Sequence, residues 1–146
     1  MTFEFENISI GVDVEEIERF ERYSDDRNAP LLKRIYNEGE LEYCFKTKFS
    51  AKRLAARYCA KAVYKAMCAH GVKILNLKEI EIYHDSSGVP QIRLLNGMNS
   101  DFEIKVSLSH SQKTAMAQVI VYKVPEKKKS IFKKVNSDGT LKFLIL

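Results

Sequence analysis

Residues 8–19 combine a strand pattern with the start of a helix, and this stretch constrains the fold more than any other. Branched apolar residues alternate with small or polar ones at Ile8, Ile10, Val12 and Val14. A period of two predicts a strand with one face buried, here the apolar one, and the other face accessible. Asp13 and Glu15 then project from one face, and Gly11 lies on that face as well. The chain is expected to be organised around this strand.

The two carboxylates beside Gly11 could hold a divalent cation. Mg2+ prefers carboxylate and phosphate oxygens together with water, and a glycine inside a strand often marks a close approach to the backbone. Alternatively, Asp13 and Glu15 form the solvent face of an edge strand or begin the next helix, whose positive N-terminus favours acids. The pattern by itself leaves both interpretations open.

Length and composition predict one globular domain. A chain of 146 residues buries about two-thirds of its unfolded surface, and 45% hydrophobic with 29% charged residues is ordinary for a folded protein. We see no apolar run of about 18 residues and no basic, apolar leader, so we expect no membrane span and a cytoplasmic location.

Cys44, Cys59 and Cys68 lack the paired spacing of a zinc site, which favours reduced, mostly buried thiols.

Charge is sorted along the chain. Residues 1–42 carry twelve acids and five bases, whereas residues 43–78 carry nine bases and no acid. The basic segment contains the longest predicted helix, 51–70, on which four cations recur every four residues: Arg53, Arg57, Lys61 and Lys65. This stripe could be solvated and pair with acids elsewhere, or it could face phosphates, for which arginine and lysine are suited. An acidic protein or a nucleic acid would also fit, although exposed aromatics of the stacking kind are not interleaved with the bases.

The remaining pattern predicts an α+β fold. Two short helices precede the long one, at 30–36 and 38–45, the second capped by Asn37. From Lys78 onward the apolar period changes to two, which predicts antiparallel strands at about 79–83, 91–95, 104–111 and 115–121. The first two of these form a hairpin, and the last strand is apolar on both faces, so we expect it at the centre of the sheet.

His110 lies between Ser109 and Ser111 at a predicted strand end. Three short polar side chains at such a position could bind an anion, or the hydroxyls could satisfy the backbone of a turn. His70 and His84 are assigned structural positions by default, at a helix end and beside Asp85 respectively.

Five short motifs, in this order, resemble the phosphopantetheinyl transferases, and by length the holo-acyl-carrier-protein synthase branch. They read I-G-V-D at 10–13, E-G-E-L at 38–41, L-A-A-R-Y-C-A-K at 54–61, D-S-S-G-V-P at 85–90 and V-S-L-S-H-S at 106–111. Each motif is weak alone, but together they are a strong signal. The resemblance predicts a transferase-like domain at 1–122, with an antiparallel sheet packed on a long central helix. A basic C-terminal hairpin of the same domain is expected at 123–146.

The resemblance implies transfer of the 4'-phosphopantetheine arm of coenzyme A to a serine of an apo acyl carrier protein, releasing adenosine 3',5'-bisphosphate. It implies Mg2+ held by Asp13 with support from Glu15, and Asp13 and Lys61 as the catalytic residues. It also implies that coenzyme A, the substrate, is bound by a set of residues at three motifs: Arg57, Lys61, Gly88, Pro90, Ser109 and His110. Phosphoryl transfer needs charge neutralisation and alignment, which an acid-free basic segment can supply in part.

The resemblance also implies partners. Members of the branch form homotrimers with active sites between subunits, and their first helix offers basic residues, here Arg19 and Arg22, to the acidic carrier protein. A membrane partner is not expected, and nucleic acid is ranked low.

The long helix departs from the family pattern at one position. The family carries a glutamate directly after the lysine that matches Lys61, as a second metal ligand, whereas this chain has Ala62 there and places Lys65 one residue early. Glu15 could compensate, because Asp13 and Glu15 resemble the Asp-x-Glu pair of the larger surfactin-type branch. The alternative is a weak or inactive homologue that binds coenzyme A or a carrier protein.

Overall fold

The computed structural model describes residues 5–74, 76–95, 97 and 99–126. Its helices and strands are β1 (Ile8–Glu16), α1 (Glu18–Glu21), α2 (Pro30–Ile35), α3 (Glu38–Phe45), α4 (Ser50–Ala60), α5 (Val63–Cys68), β2 (Ile80–His84), β3 (Pro90–Leu94), β4 (Phe102–His110) and β5 (Thr114–Lys123). The predicted second hairpin of the C-terminal extension lies outside the described residues. Among those residues no helix has both the length and the apolar composition needed to cross a membrane.

The strands form two antiparallel sheets rather than one. The larger sheet has the order β1-β5-β4, and β2 pairs only with β3. The predicted central position of β5 is confirmed. Helices α4 and α5 cover one face of the larger sheet, and the core between them includes Leu54, Cys59, Val63 and Val119, all fully buried. The predicted α+β architecture, with antiparallel strands packed on the central helical segment, is therefore confirmed.

The first strand lies within the predicted stretch, at Ile8–Glu16, but has the opposite orientation. Gly11 is buried and the two carboxylates are half-buried beneath the helices, whereas Ile10, Val12 and Val14 are 59%, 52% and 55% exposed. Met116 and Ile120 on β5 extend this apolar patch. The prediction that the apolar side of β1 is buried within the chain is wrong, because the alanine-rich helices pack on the side that carries Gly11.

The predicted long helix is interrupted at Lys61 and Ala62. Here the backbone tightens: the Ala62 amide donates to the Cys59 carbonyl and the Lys65 amide to the Ala62 carbonyl, both three residues back. Such i to i−3 bonds define a 3-10 turn, which winds more tightly than an α-helix. The segment therefore continues as two short helices, α4 and α5, with a separate register for each.

Gly11 allows the strand to approach this interruption. A β-carbon built at Gly11 would lie 2.9 Å from the Ala62 carbonyl oxygen, a distance at which backbone must move. The absence of a side chain on β1 thus lets the helix interruption rest directly on the strand. This contact fixes Ala62 beside the carboxylates of β1.

Two of the three thiols are buried as predicted. Burial raises the pKa of Cys44 to about 11 and that of Cys59 to about 12, so both remain protonated at neutral pH. Cys68 differs, because its side chain is exposed on α5.

We expect Gly11→Ala to lower the free energy of unfolding by about 1–3 kcal/mol, the usual cost of overpacking. The matched control is Gly39→Ala, where the nearest atom to the new β-carbon is 3.6 Å away. Because alanine favours a helix interior over glycine, this control should be as stable as the parent or more so. Urea unfolding followed by circular dichroism measures both, and equal stability of Gly11→Ala and the parent would contradict the contact.

Candidate active site

Two pockets open on the helix-covered face of the larger sheet. The carboxylate pocket, about 300 Å3, is lined by Asp13 and Glu15 of β1, and its other lining residues include Tyr58, Lys61, Ala62 and Lys65. The basic pocket, about 360 Å3, is lined chiefly by cationic and titratable side chains: Lys52, Arg53, Arg57, His84 and His110. Helix α4 contributes to both, so one element joins the two pockets.

The sheet register relates the pockets to each other. Glu15 lies opposite Ala115, and Ala115 lies opposite His110 on the far strand. Residues in one such row point to the same face, and two strand spacings amount to about 10 Å. The backbones of Glu15 and His110 are therefore about 10 Å apart on one face. The structure brings the predicted metal ligands and the predicted anion-binding histidine to neighbouring pockets rather than into a single one.

Asp13 and Glu15 form a close pair. Burial raises the pKa of Glu15, and the hydrogen bond and negative charge of Asp13 raise it further, while Arg19 and Lys65 act in the opposite direction. The Arg19 Nη1 atom donates to Glu15 Oε2 at 2.6 Å. Two carboxylates held together in this way repel each other when both are ionised. A cation between them would relieve that repulsion.

The two carboxylates suit a cation that takes most of its ligands from the substrate and from water. Within the described residues no group of three histidine, cysteine or acidic side chains converges as a metal site. Asp13 and Glu15 supply two carboxylates at an open pocket, and Mg2+ commonly binds one or two carboxylates and completes its shell with phosphate and water. The pair therefore fits Mg2+ delivered with a phosphorylated substrate.

The Lys61 ammonium points into the protein. Its Nζ atom donates to Glu40 Oε1 at 2.8 Å, to the Leu77 carbonyl at 3.0 Å and to the Ile80 carbonyl at 2.6 Å. Both Lys61 and Glu40 are 1% exposed. An ammonium has three N–H donors, and all three are used. A phosphate contact by Lys61 would require one of these bonds to break.

Glu40 completes this buried network. Its side chain accepts from the Asn37 amide in the capping box of α3 and from the Ile82 amide of β2. Burial lowers the pKa of Lys61, and the Glu40 carboxylate acts against that shift. We expect the ammonium to stay charged, since a buried ion pair with saturated hydrogen bonds is stable in its charged form.

The basic pocket is built around Arg57, which is 2% exposed. Its guanidinium carbon lies 3.8 Å from the centre of the Tyr43 ring, and Arg53 lies 4.4 Å from the same ring. Arg57 Nη2 lies 3.1 Å from His84 Nδ1. Two arginines thus share one aromatic ring at a pocket wall to which no acid contributes.

The turn between β2 and β3 borders the basic pocket. Pro90 lines it, and Gly88 has a positive φ of 84°, which glycine adopts without strain. The Asp85 carboxylate accepts from Ser87 Oγ and from the Ser87 and Val89 amides. These bonds lower the pKa of Asp85 to about 2. The turn is therefore held in shape before any ligand arrives.

Three other predicted residues lie elsewhere. Ser109 is opposite Met116 on the outer face of the sheet, so it points away from the pocket that His110 lines. Arg19 is exposed on α1 and reaches the carboxylate pair through Glu15. Arg22 is exposed at the end of α1, with its guanidinium 5.7 Å from the Tyr23 ring.

Several residues at the pockets were not predicted as site residues from the sequence. Arg53 and Lys65 belong to the recognised cationic stripe, so the four-residue spacing was a signal for both. Tyr43 and His84 had no such signal, since they come from separate elements that meet only in the fold. Glu40 lies within a recognised motif, but its pairing with Lys61 depends on the packing of α3 against α4.

Comparison with known proteins identifies the family. The model of the 4'-phosphopantetheinyl transferase superfamily matches residues 9–120. The chain belongs to this superfamily. The transferase is also similar to two holo-[acyl-carrier-protein] synthases. The one from Geobacter metallireducens is 34% identical, and the match covers 78% of this chain and 96% of the relative. The one from Chloroherpeton thalassium is 36% identical, and the match covers 78% of this chain and 97% of the relative. These relatives place it in the holo-acyl-carrier-protein synthase branch.

A solved structure agrees with this assignment. The holo-(acyl-carrier-protein) synthase of Bacillus anthracis, in complex with CoA (3',5'-ADP), shares 28% identity with this transferase at a TM-score of 0.64. The alignment covers 80% of this chain and 96% of that one. The predicted family and the predicted class of enzyme, a transferase, are confirmed.

We expect Lys61→Met to lower the free energy of unfolding by about 3–5 kcal/mol, because it leaves the buried Glu40 without a cation. Lys65→Met is the matched control: Lys65 is exposed, so the change should cost less than about 0.5 kcal/mol. Adding Glu40→Gln to Lys61→Met should recover part of the loss, since it removes the buried charge. Equal unfolding energies for the two single variants in urea titrations would contradict the structural role of Lys61.

Proposed function

We propose that this transferase moves the 4'-phosphopantetheine arm of coenzyme A onto a serine of an apo acyl carrier protein, in a Mg2+-dependent reaction. The observation that carries the proposal is the pairing, on one sheet face, of a carboxylate pocket with an acid-free basic pocket. The names of the relatives and the ligand in the Bacillus anthracis structure support the same substrates. A cytoplasmic location stays a prediction from the sequence.

The basic pocket would hold the nucleotide end of coenzyme A. Arg57, Arg53 and His110 offer N–H donors to phosphate oxygens, and arginine binds phosphate in a forked geometry. The turn at Gly88 and Pro90 would lie beside the adenine. Because no acid lines this pocket, the charge of a bound phosphate would be neutralised by the protein.

The carboxylate pocket would hold the diphosphate end. Mg2+, when bound, would neutralise charge on the diphosphate and be held by Asp13 and Glu15. Lys61 and Lys65 both line this pocket, and Lys65, whose side chain is exposed, would contact a phosphate oxygen. The saturated hydrogen bonds of Lys61 indicate a structural role, and its predicted catalytic role stays a prediction.

The reaction joins the carrier serine oxygen to the phosphorus that bears the pantetheine. The bond from that phosphorus to the bridging oxygen of the diphosphate breaks, and adenosine 3',5'-bisphosphate leaves with the bond electrons. The serine proton passes to the Asp13 and Glu15 pair. The raised pKa of Glu15 makes its carboxylate a better proton acceptor than that of an ordinary glutamate.

The exposed apolar patch on β1 and β5 supports the proposed homotrimer. Monomeric proteins rarely expose a contiguous patch of this kind on a regular sheet, and here it consists of Ile10, Val12, Val14, Met116 and Ile120. In a trimer built on this face, the two pockets of one copy would lie beside a neighbouring copy, as in the sites between subunits that the family resemblance implies. Arg19, which bonds to Glu15, and Arg22, exposed at the end of the same helix, would then receive the acidic carrier protein.

The direct test of the activity is the mass of the carrier protein. With coenzyme A, Mg2+ and an apo carrier, we expect the carrier to gain one phosphopantetheine group, and chelation of Mg2+ to stop the gain. Asp13→Asn should lower the rate at least about 100-fold, as loss of a metal ligand does, while coenzyme A binding persists. Arg57→Met should instead weaken coenzyme A binding.

Two results would contradict the proposed activity. Binding of coenzyme A without a mass gain on any of several carriers would favour a non-catalytic binding module, consistent with the absence of a glutamate at Ala62. If the Asp13→Asn variant kept its full dependence on Mg2+, Asp13 would not be a ligand of the metal.

The proposed trimer is tested by its oligomeric state. Val12→Asp should shift the protein from trimer to monomer in sedimentation experiments, because it places a charge in the apolar patch. Leu31→Asp, which alters an equally exposed apolar side chain on α2, is the control, and a trimeric Val12→Asp protein would contradict the interface.

A further inference from the structure

His84 makes a directional contact with Arg57. The distance from Arg57 Nη2 to His84 Nδ1 is 3.1 Å. A guanidinium has only donors, so Nδ1 has to accept, and the imidazole is neutral with its proton on Nε2. The chemistry of the pair therefore fixes both the charge and the tautomer of this histidine.

The same two side chains share the Tyr43 ring. The His84 ring stacks on Tyr43 with centroids 4.8 Å apart and an angle of 15°, and the Arg57 guanidinium carbon lies 3.8 Å from that centroid. Arg57 is thus held by the Tyr43 ring and by the His84 nitrogen that accepts its hydrogen bond. Such support limits the orientations of a long side chain that is otherwise flexible.

The acceptor that holds Arg57 carries no charge. Within the described residues Arg57 takes part in no ion pair: the salt bridges there join other residues. The nearest acid on the His84 strand end, Asp85, is committed to its own turn. A carboxylate at position 84 would also orient Arg57, but it would cancel the positive charge that attracts an anion. A neutral imidazole orients the guanidinium and leaves that charge intact.

We infer that His84 is a positioning residue for anion binding: it fixes the guanidinium of Arg57 towards a phosphate group in the basic pocket without neutralising it. The inference rests on the proposed function, because it takes the ligand to be the phosphorylated nucleotide end of coenzyme A. It adds a role for a residue that the family resemblance does not assign.

The contact can be tested without any ligand. Burial and the charges of Arg57 and Arg53 lower the pKa of His84, and Asp85 acts in the opposite direction. His84 lines the basic pocket and also a further cavity beside α3 and β2. The other titratable or charged side chains that line these two cavities are Glu42, Tyr43, Lys46, Lys52, Glu81, Tyr83 and His110. In a pH titration of the His84 ring followed by NMR, we expect a midpoint below that of an ordinary histidine. Arg57→Met should raise that midpoint, and an unchanged midpoint would overturn the contact.

Three substitutions of His84 separate the effects of its hydrogen-bond acceptor, its neutral charge and its stacked ring. His84→Asn keeps a short neutral acceptor, His84→Asp keeps an acceptor but adds a negative charge, and His84→Phe keeps the stacked ring but has no acceptor. Calorimetric titration with coenzyme A should give an affinity within about threefold of the parent for the asparagine variant. The other two should bind about tenfold more weakly, the effect of one hydrogen bond to a charged group.

The carrier assay supplies a second readout. A positioning role in binding predicts that His84→Phe raises KM for coenzyme A and leaves kcat near the parent value, whereas general damage to the fold would lower kcat and the melting temperature as well. Equal affinities for His84→Phe and the parent would overturn the inference and leave the proposed function standing. Failure of the parent itself to bind coenzyme A would overturn both, while the NMR titration would still show whether Arg57 and His84 are bonded.

Discussion

The buried ion pair between Glu40 and Lys61 is the interaction on which the rest of the site depends. It joins the cap of α3, the end of α4 and the start of β2 through hydrogen bonds that leave no donor of the ammonium unused. Placing two charges in the interior is costly unless they are paired and bonded in this way. Because the pair lies where α4 ends, it also fixes the position from which α5 continues.

The two pockets derive from different physical constraints. At β1 the strand approaches the helix interruption because Gly11 has no side chain, and this brings Asp13 and Glu15 beneath Ala62 and Lys65. One turn before the interruption, in the last turn of α4, an aromatic ring and a neutral imidazole hold Arg57 in a region rich in cations. The first pocket collects negative charge and the second positive charge. Both suit a phosphorylated substrate: the carboxylate pocket through a cation that it could hold, and the basic pocket through direct contact with phosphate oxygens.

The sequence predicted the elements well and the side-chain partners only in part. Apolar period, capping residues and turn chemistry are local, so the strand at Ile8, the capping box at Asn37 and the hairpin at residues 80–94 could be predicted. The orientation of β1 was predicted the wrong way round, because apolar alternation does not say whether the same chain or a second copy covers that face. The inward direction of Lys61 depends on Glu40, a partner 21 residues away, and spacing within one helix carries no information about it.

The interruption at Lys61 and Ala62 affects how the two pockets can change during evolution. In a continuous helix, loss of one residue would rotate every later side chain by about 100°, and both ends of a binding site mounted on it would be affected together. Here a 3-10 turn separates the two helices, and Arg53 and Arg57 lie before it while Lys65 lies after it. The turn can absorb a change of phase, so an insertion or deletion there would remodel the carboxylate pocket and spare the basic pocket. The two halves of the site are therefore free to diverge at different rates within one fold.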